Sequence, residues 1–241
     1  RLNYYKQVLE EKGYDVIYIG LHGSQNYNLD DKQSDYDVKA IVSLNLHDII
    51  NRKVISTTIE TETGHIDTKD LLTFYEVVRK GNFAYVESID TDYWIGDEYI
   101  KNLLKKCRPN LKSMLGAMHE KRKALTHEYP SKHEEFRKWG FDPKQYHHIY
   151  RLLLLLEHNI NYDDDESYLC YDVEDITRLQ LIFAKRNTFD MDLSKVEEQS
   201  DYWIEEAKEL LPKDYTYEPI DLSNEINYYI ENKIKEQLRS E

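Results

Sequence analysis

The stretch that decides the fold reads Gly20-Leu21-His22-Gly23-Ser24-Gln25-Asn26-Tyr27-Asn28-Leu29 and, after a polar loop, Ser34-Asp35-Tyr36-Asp37-Val38-Lys39-Ala40-Ile41. Val16 to Ile19, just before it, reads as a short buried strand, and Asp37 to Ser43, rich in Val, Ile and Ala, reads as a second. Gly23 removes side-chain bulk where a backbone amide must approach an anion, and Ser24 adds a hydroxyl. If Gln25 to Asn28 opens a helix, its positive end faces the same anion, and the turn becomes a triphosphate cradle. Side chains two apart on a strand share a face, so Asp35 and Asp37 point together and Lys39 follows along the same edge. Two neighbouring carboxylates repel unless cations lie between them. Magnesium, or manganese, takes oxygen ligands and is commonly held by one or two carboxylates plus substrate phosphates, which suits this pair.

Working outward, Leu2 to Lys12 has a helical pattern ending at Gly13, and Val54 to Ile66 alternates as a candidate third strand. From Thr68 the pattern becomes an amphipathic helix through Leu71, Leu72, Phe74, Tyr75, Val77 and Val78, with Thr68 or Asp70 near its start and Arg79, Lys80 and Gly81 at its end. A third acid normally completes a metal site of this kind. Asp67, at the end of the strand closing Gly64-His65-Ile66, is the candidate, with Glu62 and Asp70 as alternatives. Beyond about residue 96, helical spacing recurs in Tyr99 to Ala124, Tyr146 to Asn159 and Ile204 to Leu211. The expected class is therefore α+β: a small mixed sheet flanked by helices over residues 1–95, then a helical domain over 96–241 that covers the nucleotide, with the active site in the cleft between them.

Composition narrows the function. A formal net charge of −14 gives no long-range attraction to polyphosphate backbones, so non-specific DNA binding is not expected. No apolar run reaches a membrane span, and Arg1 to Tyr5 carry no signal-peptide pattern. Cys107 and Cys170 stand in unrelated contexts without close His or Cys partners, which argues against a disulfide framework and a structural zinc site. A reducing, cytoplasmic setting is the expectation. The 21 tyrosines are scattered through every segment and so read as packing residues rather than one stacking surface. Asp163 to Glu166 reads as a solvated loop, because consecutive carboxylates without a glycine-bearing loop have no fixed geometry. A lone His22 reads as a hydrogen-bonded structural residue.

Gly-Ser pairs are common in turns and Asp-x-Asp often marks an Asx turn, so neither fragment alone is specific. Their order, strand, Gly-Ser, polar loop, then Asp-x-Asp entering an apolar strand, resembles the signature of the polymerase-β-like nucleotidyltransferases. Within that superfamily the chain more closely resembles the predicted small stand-alone branch. Further likeness lies in Asp67 with the Leu71-rich helix, in Lys80-Gly81-Asn82 leading to Glu87, and in Gly140-Phe141-Asp142-Pro143-Lys144 leading to His148 and Arg151. By resemblance, Asp35, Asp37 and Asp67 are the metal-binding catalytic acids, and Gly23 and Ser24 contact the phosphates. Lys144, His148 and Arg151, spaced by four and then three, share one helix face and form a cationic stripe. Functionally, the stripe receives a phosphate of the nucleotide or the acceptor; structurally, it is a packing face. Lys39 meets a phosphate, offsets the charge of the acids or points into solvent at the strand edge.

The implied reaction moves a nucleoside monophosphate from a nucleoside triphosphate to a hydroxyl of an RNA end, a protein side chain or a small molecule, releasing pyrophosphate. The competing class is a catalytically silent nucleotide-binding or toxin-neutralising module. Intact acids count against it, since a pure binder has no need of mutually repelling carboxylates. A phosphohydrolase is weaker still, because the His-and-Asp clusters it would use are not found at the required spacing.

Overall fold

A computed structural model of the chain describes residues 1–27, 29–30, 34–130, 133–161 and 192–240. The architecture is α+β and divides into two compact units. The first comprises Arg1–Asn26, Gln33–Pro109 and Glu218–Glu241; the second comprises Tyr27–Lys32 and Asn110–Tyr217. The first unit therefore runs past the change of sequence pattern near residue 95 and takes back the C-terminal segment.

In the first unit, helix α1 (Leu2–Glu11) leads into β1 (Asp15–His22), and the chain returns as β2 (Asp37–Ser43). A short helix, α2 (Leu46–Ile50), precedes β3 (Ser56–Thr61) and β4 (Gly64–Asp70). The stretch read as one strand from Val54 to Ile66 is thus a hairpin, because Glu62 and Thr63 turn the chain between two strands, and Thr61 Oγ1 donates to the Gly64 carbonyl at 2.8 Å. Helix α3 (Leu71–Arg79) begins after Asp70, whose carboxylate accepts from the Thr73 amide as its N-cap. Helix α4 (Phe83–Asp90), capped by Asn82, the strand β5 (Trp94–Gly96) and α5 (Glu98–Leu104) follow.

The sheet is mixed, in the order β3-β4-β2-β1-β5. β2 runs parallel to β4 and antiparallel to β1. Alternation sorts its two faces. Ile19, Leu21, Val38, Ala40 and Ile66 are buried against Tyr5 and Leu9 of α1. The other face carries α3 and α4, whose packing is close enough to need a glycine: a Cβ on Gly20 would lie 1.9 Å from the Ser88 carbonyl oxygen. Tyr18, two residues earlier on that face, donates to the same carbonyl at 2.8 Å.

Helix α6 (Leu111–Leu125), α7 (His133–Trp139), α8 (Pro143–Asn161) and α9 (Leu193–Leu210) belong to the second unit. Its core gathers Leu125, Phe141, Tyr146 and Val196 with Trp139, Leu193 and Trp203, as expected where the apolar stripes of packed helices meet. The helical pattern from Tyr99 to Ala124 is two helices, interrupted over 105–110, where Pro109 removes a backbone donor. The last helix, α10 (Ser223–Ser240), belongs to the first unit, where Tyr229 donates to Asp97 Oδ2 at 2.8 Å. The Tyr75 hydroxyl likewise accepts the Leu222 amide at 2.6 Å.

Among the described residues no helix is long and apolar enough to cross a membrane. Cys107 is buried and unbridged, and burial pushes its thiol up to about 11, so it carries little thiolate at neutral pH. Cys170 and the acidic stretch Asp163 to Glu166 lie outside the described residues.

Gly20→Ala should lower stability by more than about 2 kcal/mol, because strand or helix must shift to admit the methyl group. The check is a urea titration, in which the midpoint falls while the slope is unchanged; an unchanged midpoint would mean that α4 does not press on β1 as described.

Candidate active site

Tyr36 fixes the Asp-x-Asp pair by going the other way. Its ring stacks on Tyr5 with centroids 5.9 Å apart and planes 2° from parallel, its amide donates to the Thr63 carbonyl at 2.9 Å, and its carbonyl accepts the Tyr5 hydroxyl at 2.8 Å. With Tyr36 turned to the α1 side, Asp37, the first residue of β2, is left for the opposite side, where it meets His65. Asp35 is exposed and Asp37 is half-buried. Gln25 Nε2 donates to the Asp35 carbonyl at 2.8 Å and so ties the Gly-Ser turn to the acidic segment.

The turn itself is set by a buried carboxylate. Glu87 of α4 is fully buried; its Oε1 accepts the Gly23 amide at 2.8 Å and Asn26 Nδ2 at 3.2 Å, while His22 Nδ1 lies 3.4 Å from Oε2. Asn26 also donates to the Leu21 carbonyl at 3.1 Å and accepts the Thr91 hydroxyl at 2.8 Å. Gly23 has φ 98°, a left-handed conformation that favours glycine and lets the chain turn at once into the 3-10 turn Ser24–Tyr27. That short turn stands where the sequence suggests a helix opening at Gln25. The Gly23 amide is directed at Glu87 rather than outward, so its part in the loop is to anchor it.

Across the sheet, Lys39 stands opposite Asp67 in the parallel β2–β4 register. Lys39 Nζ donates to Asp67 Oδ2 at 2.9 Å, the Tyr85 hydroxyl donates to the same oxygen at 2.5 Å, and Lys69 Nζ lies 3.6 Å from Oδ1. The Lys39 ammonium also sits 4.1 Å from the centre of the Tyr85 ring. One rung along, Asp37 Oδ1 accepts the His65 amide at 3.1 Å and faces its Nδ1 at 3.0 Å. Burial favours the neutral Asp67 acid, but Lys39, the Tyr85 and Lys39 hydrogen bonds and Lys69 outweigh it and hold its pKa below the ordinary carboxylate value.

Asp67 therefore stands in mid-strand, rather than at a strand end, with its charge already matched by lysine. Among the described residues no three His, Cys, Asp or Glu side chains are gathered as a metal-binding group. Asp35 and Asp37 suit magnesium or manganese, being accessible oxygen donors with no lysine or arginine within ion-pair distance among the described residues. Asp67, in its observed partnerships, does not fit as a third ligand. Glu62 is exposed in the hairpin turn, and Asp70 is consumed as a cap, also accepting the Ile55 amide at 2.9 Å.

In the second unit, Asp142 caps α8 by accepting the Lys144 amide at 3.0 Å. Lys144 is exposed, His148 half-buried and Arg151 buried, with the Arg151 guanidinium 4.7 Å from the Tyr27 ring centre. Burial, then the neighbouring His147, Arg151, Lys121 and Lys144, push the His148 pKa well below the ordinary imidazole value. The middle of the expected cationic stripe is thus disfavoured as a cation, chiefly by burial and then by the like charges crowded on one face. Lys121 of α6, which the sequence does not single out, adds to this group, and its own pKa is lowered by burial, then by Arg151 and Lys144. His65, Lys69 and Tyr85 were also not singled out. Alternation along β4 puts His65, Asp67 and Lys69 on one face and could have drawn attention to the first two; Tyr85, on α4, has no such signal.

Asp67→Asn should cost roughly 1–3 kcal/mol at neutral pH, between the exposed and fully buried ion-pair limits, because Lys39 loses its partner. The sign of the pH effect follows from the lowered native pKa: the unfolded chain binds the proton first, so this stabilisation is present above the unfolded value of about 4 and is lost as pH falls through the native value. Unfolding titrations at neutral and acid pH should show a gap between wild type and variant that narrows in acid; a constant gap would contradict the ion-pair account.

No family model matches the chain. No curated protein matches it. Among solved structures it is similar to a nucleotidyltransferase-like protein from Exiguobacterium sibiricum 255-15, at 12% identity over 85% of this chain and 72% of that one, with a TM-score of 0.27. A superposition this loose carries no argument about activity.

Proposed function

We propose that the chain is a metal-dependent nucleotidyltransferase that moves a nucleoside monophosphate from a nucleoside triphosphate to a hydroxyl acceptor. The observation that carries this reading is the arrangement within the first unit: among the described residues Asp35 and Asp37 stand clear of lysine, and the Gly23-Ser24 turn, anchored by Glu87, is tied to the Asp35 carbonyl by Gln25. The order of these elements along the chain, with its resemblance to the polymerase-β-like enzymes, supports the same reading.

In this reading Asp35 and Asp37 hold magnesium or manganese. The ion, when bound, neutralises phosphate charge and lowers the pKa of a coordinated hydroxyl. Ser24 and the turn behind Gly23 orient the triphosphate, and Lys39 supplies fixed positive charge on the face that carries Asp37. The acceptor oxygen forms a bond to the α-phosphorus as the bond to the bridging oxygen breaks; pyrophosphate leaves and the acceptor proton is released. In the second unit, Lys144, His148 and Arg151 of α8 are proposed as a phosphate-binding face in their own right. Acceptors with an RNA end, a protein hydroxyl or a small molecule all meet this chemistry.

A nucleotide-binding module without chemistry is the second reading, favoured by one observation: the third acid is already neutralised by lysine. Incubation of wild type and Asp35→Ala/Asp37→Ala with labelled nucleoside triphosphates, manganese and a mixed RNA and protein extract separates the two. Label transfer by wild type, falling at least about a hundredfold in the double variant, is expected. Equal labelling by both proteins would overturn the assignment of the acids, and nucleotide binding without transfer would favour the binding module.

A further inference from the structure

We propose that Lys39 is a resident cation standing at Asp67 where a second metal ion would stand, so that the site works with one divalent ion, held by Asp35 and Asp37. The proposal rests on the nucleotidyl-transfer reading and limits how that chemistry is done.

Three elements build the Lys39 site. β2 supplies Lys39, which is only 7% exposed; β4 supplies Asp67 directly opposite it in the ladder; and α4 supplies Tyr85, which caps the ammonium with its ring and donates its hydroxyl to Asp67. Tyr85 is itself held, edge-on to Phe74 at 5.3 Å, and its carbonyl accepts the Ser88 hydroxyl at 2.8 Å. Both Asp67 oxygens face a cation, Oδ2 towards Lys39 at 2.9 Å and Oδ1 towards Lys69 at 3.6 Å.

A divalent ion reaching Asp67 would meet two ammonium groups, and the buried Lys39 would have to give up its half-buried partner with its ring cap still in place. Like-charge repulsion and the stranded lysine both oppose that exchange. Among the described residues Asp35 and Asp37 meet no such barrier, since the Asp37 neighbour across the ladder is His65 and the Asp37 side chain remains 41% exposed. A fixed ammonium beside one carboxylate-held ion provides two centres of positive charge, as two metals do, and leaves one of them independent of metal supply.

Native mass spectrometry of the full chain with manganese and a triphosphate analogue carrying a methylene bridge between the α- and β-phosphates counts the ions directly. One manganese per nucleotide complex is expected in wild type and in Asp67→Asn, with manganese affinities within about threefold of each other, far from the tenfold that a lost ligand would exceed. Two ions in wild type and one in Asp67→Asn would overturn the proposal, and the wild-type count alone decides the matter if that variant does not fold. Asp35→Asn/Asp37→Asn keeps the two readings apart. It should lose its manganese; if the ion stays, the assignment of the acids fails, whereas two ions lost only in part through Asp67 contradict the resident lysine alone.

Discussion

Because β2 and β4 pair in parallel with Lys39 opposite Asp67, each residue on these strands has only one side of the sheet available to it. That register buries Val38, Ala40 and Ile66 under α1, and it gathers Asp37, Lys39, His65 and Asp67 on the face where α3 and α4 pack. A slip by one residue would exchange the two sets, placing charges in the apolar layer and aliphatic groups at the site. The same alternation that stabilises the fold thus supplies the polar face, and the site cannot be rebuilt elsewhere without undoing the core.

Helix α4 joins the two parts of that face. Glu87 reaches the Gly23 turn, Tyr85 reaches the Lys39–Asp67 pair, and Ser88 meets β1 through its carbonyl. Each contact depends on the helix lying against the strand at Gly20, where no side chain intervenes. A buried carboxylate is costly unless it is partnered, and Glu87 Oε1 accepts a backbone amide and an asparagine amide from the loop it positions, while His22 Nδ1 lies 3.4 Å from Oε2. The loop is consequently anchored to the first unit through Asn26, which favours precise orientation of an anion.

Much of this was legible in the sequence. The strand from Asp37 to Ser43 is bounded as its apolar run suggests, and the α+β class follows from the change of period. What escaped was everything set by a partner distant in the chain. The hairpin between β3 and β4 hides in a continuous polar alternation, β5 is only three residues long, and α10 returns to the first unit from the far end of the chain. Asp67 reads as a free acid because nothing in its neighbourhood announces a lysine 28 residues earlier. His148 reads as a cation because sequence spacing shows its charged neighbours on α8 but not its burial or Lys121 on α6.

The account turns on which cation Asp67 keeps when the site is loaded. A crystal structure of the chain with manganese and the methylene-bridged triphosphate, with data collected for manganese anomalous scattering, answers this most directly. The account predicts anomalous density at Asp35 and Asp37 alone, with Lys39 Nζ still hydrogen-bonded to Asp67 beneath Tyr85. Manganese on Asp67 with the Lys39 ammonium displaced would contradict it.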